Sequence, residues 1–221
     1  MTTIRILSTL AVMGAMRDVS TQYSAAEIKA DFAPTVALLE RLRGGEAADI
    51  AILTAQGIDD LIAEGVVRPG TRTDIARSFV GIAVKAGARK PDISSVAAFK
   101  ATLLAARTVA YSRIGASGIF FAALLDRLGL ADTMKTLVVP SGFTAERLVT
   151  GEADLAVQQI SELMMVPGIE VVGPLPTDIQ TVATFSAGLL CQSVEAAALL
   201  RFLASPVVAP VLRRTGLEPA G

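Results

Sequence analysis

The sequence predicts an α/β protein of two similar lobes, each a mainly parallel sheet with helices on both faces. Three observations predict it. Short apolar runs alternate with segments of helical period along the whole chain, the pattern of parallel strands joined by crossover helices. The alternation restarts after the loop "ARKPD", which divides it into two sets. The 221 residues are 52% hydrophobic and 19% charged, enough apolar side chain for a buried core and too little charge for disorder.

Taken in order, "IRILS" (4–8) is a strand and "LAVMGAMRDVSTQYS" has helical spacing. "PTVALLERLRGG" is an amphipathic helix whose glycines suit a C-terminus, and it leads into the strand "ADIAILTA" (48–55). The helix "GIDDLIAEGVV" precedes a longer buried strand, "SFVGIAVKAG". The second set opens with the helix "SVAAFKATLLAA" and the strand "TVAYS" (108–112). Next comes the helix "GIFFAALLDRLGL", closed by Gly129, and the strand "KTLVV" (135–139). "TAERLVTGE" is a helix, "DLAVQQ" (154–159) a strand and "ISELMM" a helical turn. "IEVVGPL" and "QTVATFSAGLL" are two further strands. The C-terminal helices are "SVEAAALLRFLAS" and "PVVAPVLRRTG", the latter opened by proline and closed by Gly216.

The lobes are expected to join through strands near 80–86 and 180–187, stiffer than Gly/Ser tethers. Lobe I is then 1–82 plus 184–221, and lobe II is 83–183.

Composition removes several functions. The net charge of −1 gives no pull toward nucleic acid, and the absence of Trp with 5% aromatics removes base-stacking platforms. No histidine is present, so Ser-His-Asp and Cys-His triads and His-based metal sites are absent. The one cysteine, Cys191, sits in an apolar run and reads as a small buried hydrophobe. No metal or cofactor is expected; "GASG" lacks the Lys-Ser/Thr of a Walker loop and the dinucleotide spacing. Arg5 interrupts the first apolar run and Arg17-Asp18 follow, so no export signal is read there and a cytoplasmic location is expected, or a periplasmic one if a leader has been removed. No stretch reaches the roughly 18 apolar residues of a spanning helix, so no membrane insertion is expected.

Four strand-to-helix junctions carry small hydroxylated or glycine residues. They are "LSTLA" (Ser8, Thr9), "FAPTV" (Thr35), "GASG" (Gly115, Ser117, Gly118) and "SGFTAE" (Ser141, Gly142, Thr144), with Phe143 also counted as ligand-binding in the last. Ligands of parallel α/β sheets sit beyond the carboxyl ends of the strands. Helix N-termini there offer unpaired N–H groups and a partial positive charge to an oxyanion. The plain alternative is that each Ser or Thr is an ordinary N-cap, worth about 1 kcal/mol. Gln158 and Gln159 end a strand, where alternation sends one inward; a glutamine there can donate to a carboxylate or accept from a hydroxyl. Arg113 could fork a second carboxylate, or be a loop arginine in solvent.

In this order the residues resemble the type II periplasmic-binding-protein fold, in its molybdate-binding-like branch of solute-binding proteins. The resemblance covers nearly the whole chain. It rests on "STLAVMGAM", "LLERLRGGEAADIAILTA", "ASGIFFAALLDRLGL", "VTGEADLAVQQISEL" and "FLASPVVAPVLRRTGLEP". It implies two α/β lobes around a ligand cleft, with an anion held by hydroxyls and backbone amides at helix starts. By position it implies Ser8, Thr9 and Ala11 in the first loop, Thr35 in the second and Ser117 in the third. Loop 141–144 and Gln159 complete that set. The first-loop serine of molybdate binders falls on Ala11 and their cleft tyrosine on Gln159, which points away from molybdate and toward an organic carboxylate. The resemblance includes a branch that works as aconitate-isomerase-like enzymes.

Two functions follow. One is a protein that binds a small anion, a di- or tricarboxylate, in the interlobe cleft; without an export signal an ABC transporter is not an expected partner. The other is a cytosolic isomerase of an unsaturated carboxylate, which needs a general base and an anion hole. The candidate bases are Glu162, Glu146, Tyr111 and a desolvated Lys85.

Overall fold

A computed structural model describes residues 2–221. In chain order the strands are β1 (Thr3–Thr9), β2 (Glu27–Ala33), β3 (Ile50–Thr54), β4 (Thr73–Lys85) and β5 (Val109–Tyr111). They continue with β6 (Thr136–Val138), β7 (Leu155–Gln159), β8 (Ile169–Pro174), β9 (Val182–Leu189) and β10 (Glu218–Pro219). The helices are α1 (Met13–Gln22), α2 (Thr35–Arg43), α3 (Ala55–Ala63), α4 (Val96–Ala105) and α5 (Ala116–Leu128). The chain adds α6 (Glu146–Val149), α7 (Ile160–Leu163), α8 (Val194–Leu203) and α9 (Ala209–Arg214).

The chain divides into two compact units. Unit 1 runs to Ser78 and resumes over Ala183–Gly221, and unit 2 is Phe79–Val182. The divisions fall at Ser78/Phe79 and Val182/Ala183 rather than at 82/83 and 183/184. The first lies inside β4 and the second at the start of β9, where a continuous apolar strand gives no compositional mark of passing from one core to the other.

In unit 1, β1 pairs in parallel with β2 and β3. β9 lies antiparallel on β3, and β10 lies antiparallel on the Ala76–Arg77 stretch of β4. In unit 2, β5 pairs in parallel with β6 and β7, while β4 is antiparallel to β7 and β8. Each sheet is thus parallel where the strand-to-helix junctions lie and antiparallel beside them, a departure from mainly parallel sheets. The cause at β4 and β9 is connectivity. Each enters a unit directly from the other, without the crossover helix that delivers a parallel strand.

Both faces of each sheet are covered, because successive strand side chains point opposite ways. In unit 1, Ile4, Ile6, Ile50 and Ile52 pack with Met16 of α1 and Leu199 of α8. The residues between them, Leu7, Ala51 and Leu53, pack with Leu38 of α2 and Leu61 of α3. In unit 2, Val80, Ile82, Val109 and Val157 pack with Phe99 of α4 and Phe121 of α5. The opposite face is alanine-rich, with Ala83, Ala110 and Ala156 under Leu148 of α6 and Leu163 of α7. Each such Leu, Ile or Phe contributes about 1.5–3 kcal/mol by leaving water.

Several elements differ from the expected string, among them β10, β2, the first helix and β4. β2 was not foreseen: "EIKADFA" has no fully buried residue, and its alternating charges Glu27, Lys29 and Asp31 suit a protected edge. The first helix is broken into a 3-10 turn at Leu10–Val12 followed by α1. β4 starts at Thr73, several residues before the apolar run that announces it.

Candidate functional site

The four junctions stand at carboxyl ends of parallel strands. In unit 1 the register Ser8↔Phe32 and Thr9↔Ala33 starts the loops after β1 and β2 side by side. Ser8 is fully buried and its Oγ donates to the Thr9 carbonyl at 3.2 Å. Thr9 is buried too, and as N-cap of the 3-10 turn it makes no side-chain cap. Ala11 lies in the apolar core under β1. Thr35 opens α2 and is 9% exposed. The residue before it, Pro34, is extended and has no polar side chain to cap the helix.

In unit 2 the register Tyr111↔Val138 and Ala110↔Ala156 brings the ends of β5, β6 and β7 to one sheet edge. The residues that follow are Arg113 to Ser117, loop 141–144 and Gln159 to Glu162. The N-cap of α5 is Gly115, which has no side chain to cap with, and Ser117 in the first turn is 2% exposed. Gly118 is different: its N–H donates to the Gly115 carbonyl at 3.1 Å.

A contrast separates these starts from ordinary helix caps. α3, α4 and α8 begin with Thr54, Ser95 and Ser193, whose hydroxyls accept from the N–H three residues on. No such side-chain cap closes the first turn of α2 or α5. Their leading N–H groups have no intrahelical acceptor, so the positive end of each helix is left for another acceptor.

Gln158 organises loop 141–144. Its Oε1 accepts from the Thr144 N–H at 2.8 Å and the Thr144 hydroxyl at 3.0 Å, and its Nε2 donates to the Gly142 carbonyl at 3.3 Å. Gly142 has φ +78, a backbone region in which a side chain is strained. Thr144 is therefore tied within the protein, and Phe143 packs its ring on the alanine-rich core. Alternation predicts one buried glutamine, yet both are: Gln158 is 4% and Gln159 2% exposed. β7 is covered by β4 on one side and β5 on the other, and its last residue is held under α7. Sequence reasoning missed this buckle; the signal available was the doubled glutamine beside a Gly-Phe-Thr loop.

Gln159 is the site's unbalanced group, because its buried Nε2 donates to no acceptor. Ser161 Oγ is in the same state. The Gln159 N–H donates to Glu162 Oε2 at 3.3 Å, one half of a reciprocal capping box in which the Gln159 side chain accepts from the Glu162 N–H at the start of α7. Glu162 is buried, and burial pushes its carboxyl up to about 7. The Gln159 N–H and the Gln158 side chain oppose that rise, and no cation does.

The other candidate bases are placed differently. Tyr111 is 1% exposed, its hydroxyl accepts from Arg113 Nε at 2.8 Å and its ring meets Phe121 edge-on. Arg113 is exposed and lies over the Tyr111 ring, 5.8 Å from its centre, with its two terminal amino groups clear of the Tyr111 bond. Glu146 is exposed in α6. Lys85 is not desolvated: it is exposed, and its Nζ donates to the Val149 carbonyl at 3.2 Å. A strand-terminal lysine had looked buried because the run before it is apolar. No group of three or more metal-ligating side chains occurs among the described residues.

Three likenesses to known proteins bear on this arrangement. An aconitate isomerase of Pseudomonas sp. is 37% identical, over 99% of this chain and 88% of that protein. The periplasmic molybdate-binding protein of Azotobacter vinelandii has the same fold, with TM-score 0.79 at 14% identity over 97% of this chain and 98% of its own. So does the substrate-binding domain of a molybdenum ABC transporter of Clostridium difficile described as putative, with TM-score 0.73 at 17% identity over the whole of both chains. The family described as bacterial extracellular solute-binding protein matches residues 4–218, and with its two α/β units and uncapped helix starts this chain belongs to that family.

Proposed function

We propose that this protein binds a small polycarboxylate and isomerises it, moving a proton along an unsaturated tricarboxylate of the aconitate type. Glu162 carries the reading. It is a buried carboxyl raised to about 7, beside a glutamine whose Nε2 donates to no acceptor. A general base works best with a pKa near the working pH, and a perturbed buried carboxyl with no cation beside it is a mark of a functional site. The 37% identity to an aconitate isomerase along the whole chain supports the substrate class.

The chemistry asks little else of the protein. Ionised Glu162 takes a proton from the methylene carbon next to the double bond, leaving a carbanion spread over three carbons and their carboxylates. The first-turn N–H groups of α5 oppose that charge. The protonated carboxyl then returns its proton at the other end of the allylic unit, which shifts the double bond and leaves atoms and electrons balanced. Gln159 Nε2 donates to a substrate carboxylate, and the terminal amino groups of Arg113 fork another.

Proton NMR in D₂O with cis- and trans-aconitate tests this. Interconversion with deuterium uptake at the methylene carbon is expected, and Glu162→Gln should slow it at least about a hundredfold while ligand still binds. A ligand that broadens and returns unchanged, with no deuterium, would leave the second reading. That reading is a solute-binding protein without turnover, and the family description favours it.

A further inference from the structure

α4 is apolar at every position except Lys100 and Thr102, yet it buries only Phe99 and Leu103. Part of the remainder, Ala98, Ala101 and Ala105, lines a groove of about 730 Å³ within unit 2, a size typical of small-molecule sites. Val84, Leu148 and Leu155 complete its apolar floor. The groove lies at the amino-terminal ends of β5 and β7, the opposite sheet edge from Ser117 and Gln159.

Its charges are unequally matched. Arg107 and Asp154 form an ion pair, and Asp92 accepts from the Ser94 N–H at 2.9 Å. Lys85 donates only to a backbone carbonyl. Arg89, on the lining, has no ion-pair or hydrogen-bond partner among the described residues. With Arg107 and Asp154 cancelled, two cations stand against one carboxylate, over a floor whose one hydroxyl, that of Thr102, is taken by the Asp92 carbonyl. A polyanion would leave the floor uncovered, and an uncharged chain would leave the cations unmatched.

We propose that this groove is a second binding site, for an amphiphilic monoanion such as a medium-chain carboxylate. The tail lies along the alanines of α4 and the head meets Arg89 and Lys85. The site is independent of the isomerase reading.

Calorimetric titration of the full chain with octanoate tests it, with octan-1-ol as the uncharged counterpart. Saturable binding of one octanoate per chain is expected, unchanged by excess trans-aconitate. Ala101→Trp, a substitution at an exposed position of α4, should fill the groove and weaken binding at least tenfold. Arg89→Glu should weaken it about fivefold, the scale of an exposed charge pair. Absence of saturable binding overturns the proposal, as does displacement by trans-aconitate, full affinity in Ala101→Trp, or octan-1-ol binding as tightly as octanoate.

Discussion

Gly118 in α5 lies against the carbonyl of Ser112 so closely that a Cβ on it would stand 1.2 Å from that oxygen. The helix is seated backbone against backbone on the end of β5, and this contact fixes where the first turn of α5 points. No flexible side chain is available to yield. Gly118→Ala should cost at least about 3 kcal/mol, the upper end of overpacking, or fail to fold. Urea unfolding measures it, and wild-type stability in the variant would show that α5 has room to shift.

Glu162 should make stability fall as pH rises. Its carboxyl titrates at about 7 in the fold, against an ordinary value of 4.5, so the folded chain keeps a proton that the unfolded chain has lost. That contribution is fully present below about pH 4.5 and is lost as pH passes through 7, a change of roughly 3 kcal/mol. Glu162→Gln stays neutral throughout and should flatten the slope between pH 5 and 8. Urea midpoints of both proteins at the two pH values decide this, and parallel slopes would place the proton elsewhere.

Gln159 trades stability for binding. A buried amide whose Nε2 has no acceptor costs about 1–3 kcal/mol. Gln159→Leu should therefore raise the melting temperature of the unliganded protein while weakening tricarboxylate binding at least about tenfold. Thermal melts with and without ligand report both effects. A variant less stable than wild type would mean that the amide is satisfied within the protein.

Gln158 and Thr144 should act as one unit. Gln158→Leu strands the Thr144 N–H and should cost about 1–3 kcal/mol, whereas Thr144→Val removes one hydroxyl bond, leaves the N–H bond to Gln158 in place and should cost about 0.5–1.5 kcal/mol. The double variant should cost less than the sum, because the hydroxyl–amide bond is lost only once. Strict additivity in a double-mutant cycle would dissolve the buckle.

Much of this was legible in the sequence. The alternation of β1, β3, β5 and β7 with their helices is written in periodicity, since a strand buried on both faces and a helix buried on one demand different spacings. The four junctions were legible because Ser, Thr and Gly cluster there against an apolar background. β2 was not, because an edge strand with a charge at every second residue resembles a polar loop. Glu162 stood only as one base among four.

What the sequence by itself determined is the fold class, the lack of histidine chemistry and the places where chain ends of strands meet helix starts, because these depend on local order and residue type. Only the tertiary structure decided which hydroxyls and amides are already taken. Thr144 is bound by Gln158 and the Gly118 N–H by Gly115, whereas the Gln159 Nε2 is left without an acceptor. Only it, too, separated buried Glu162 from exposed Lys85 and Glu146. A hydrogen bond or a desolvation cost depends on neighbours from distant parts of the chain, and no local pattern records them.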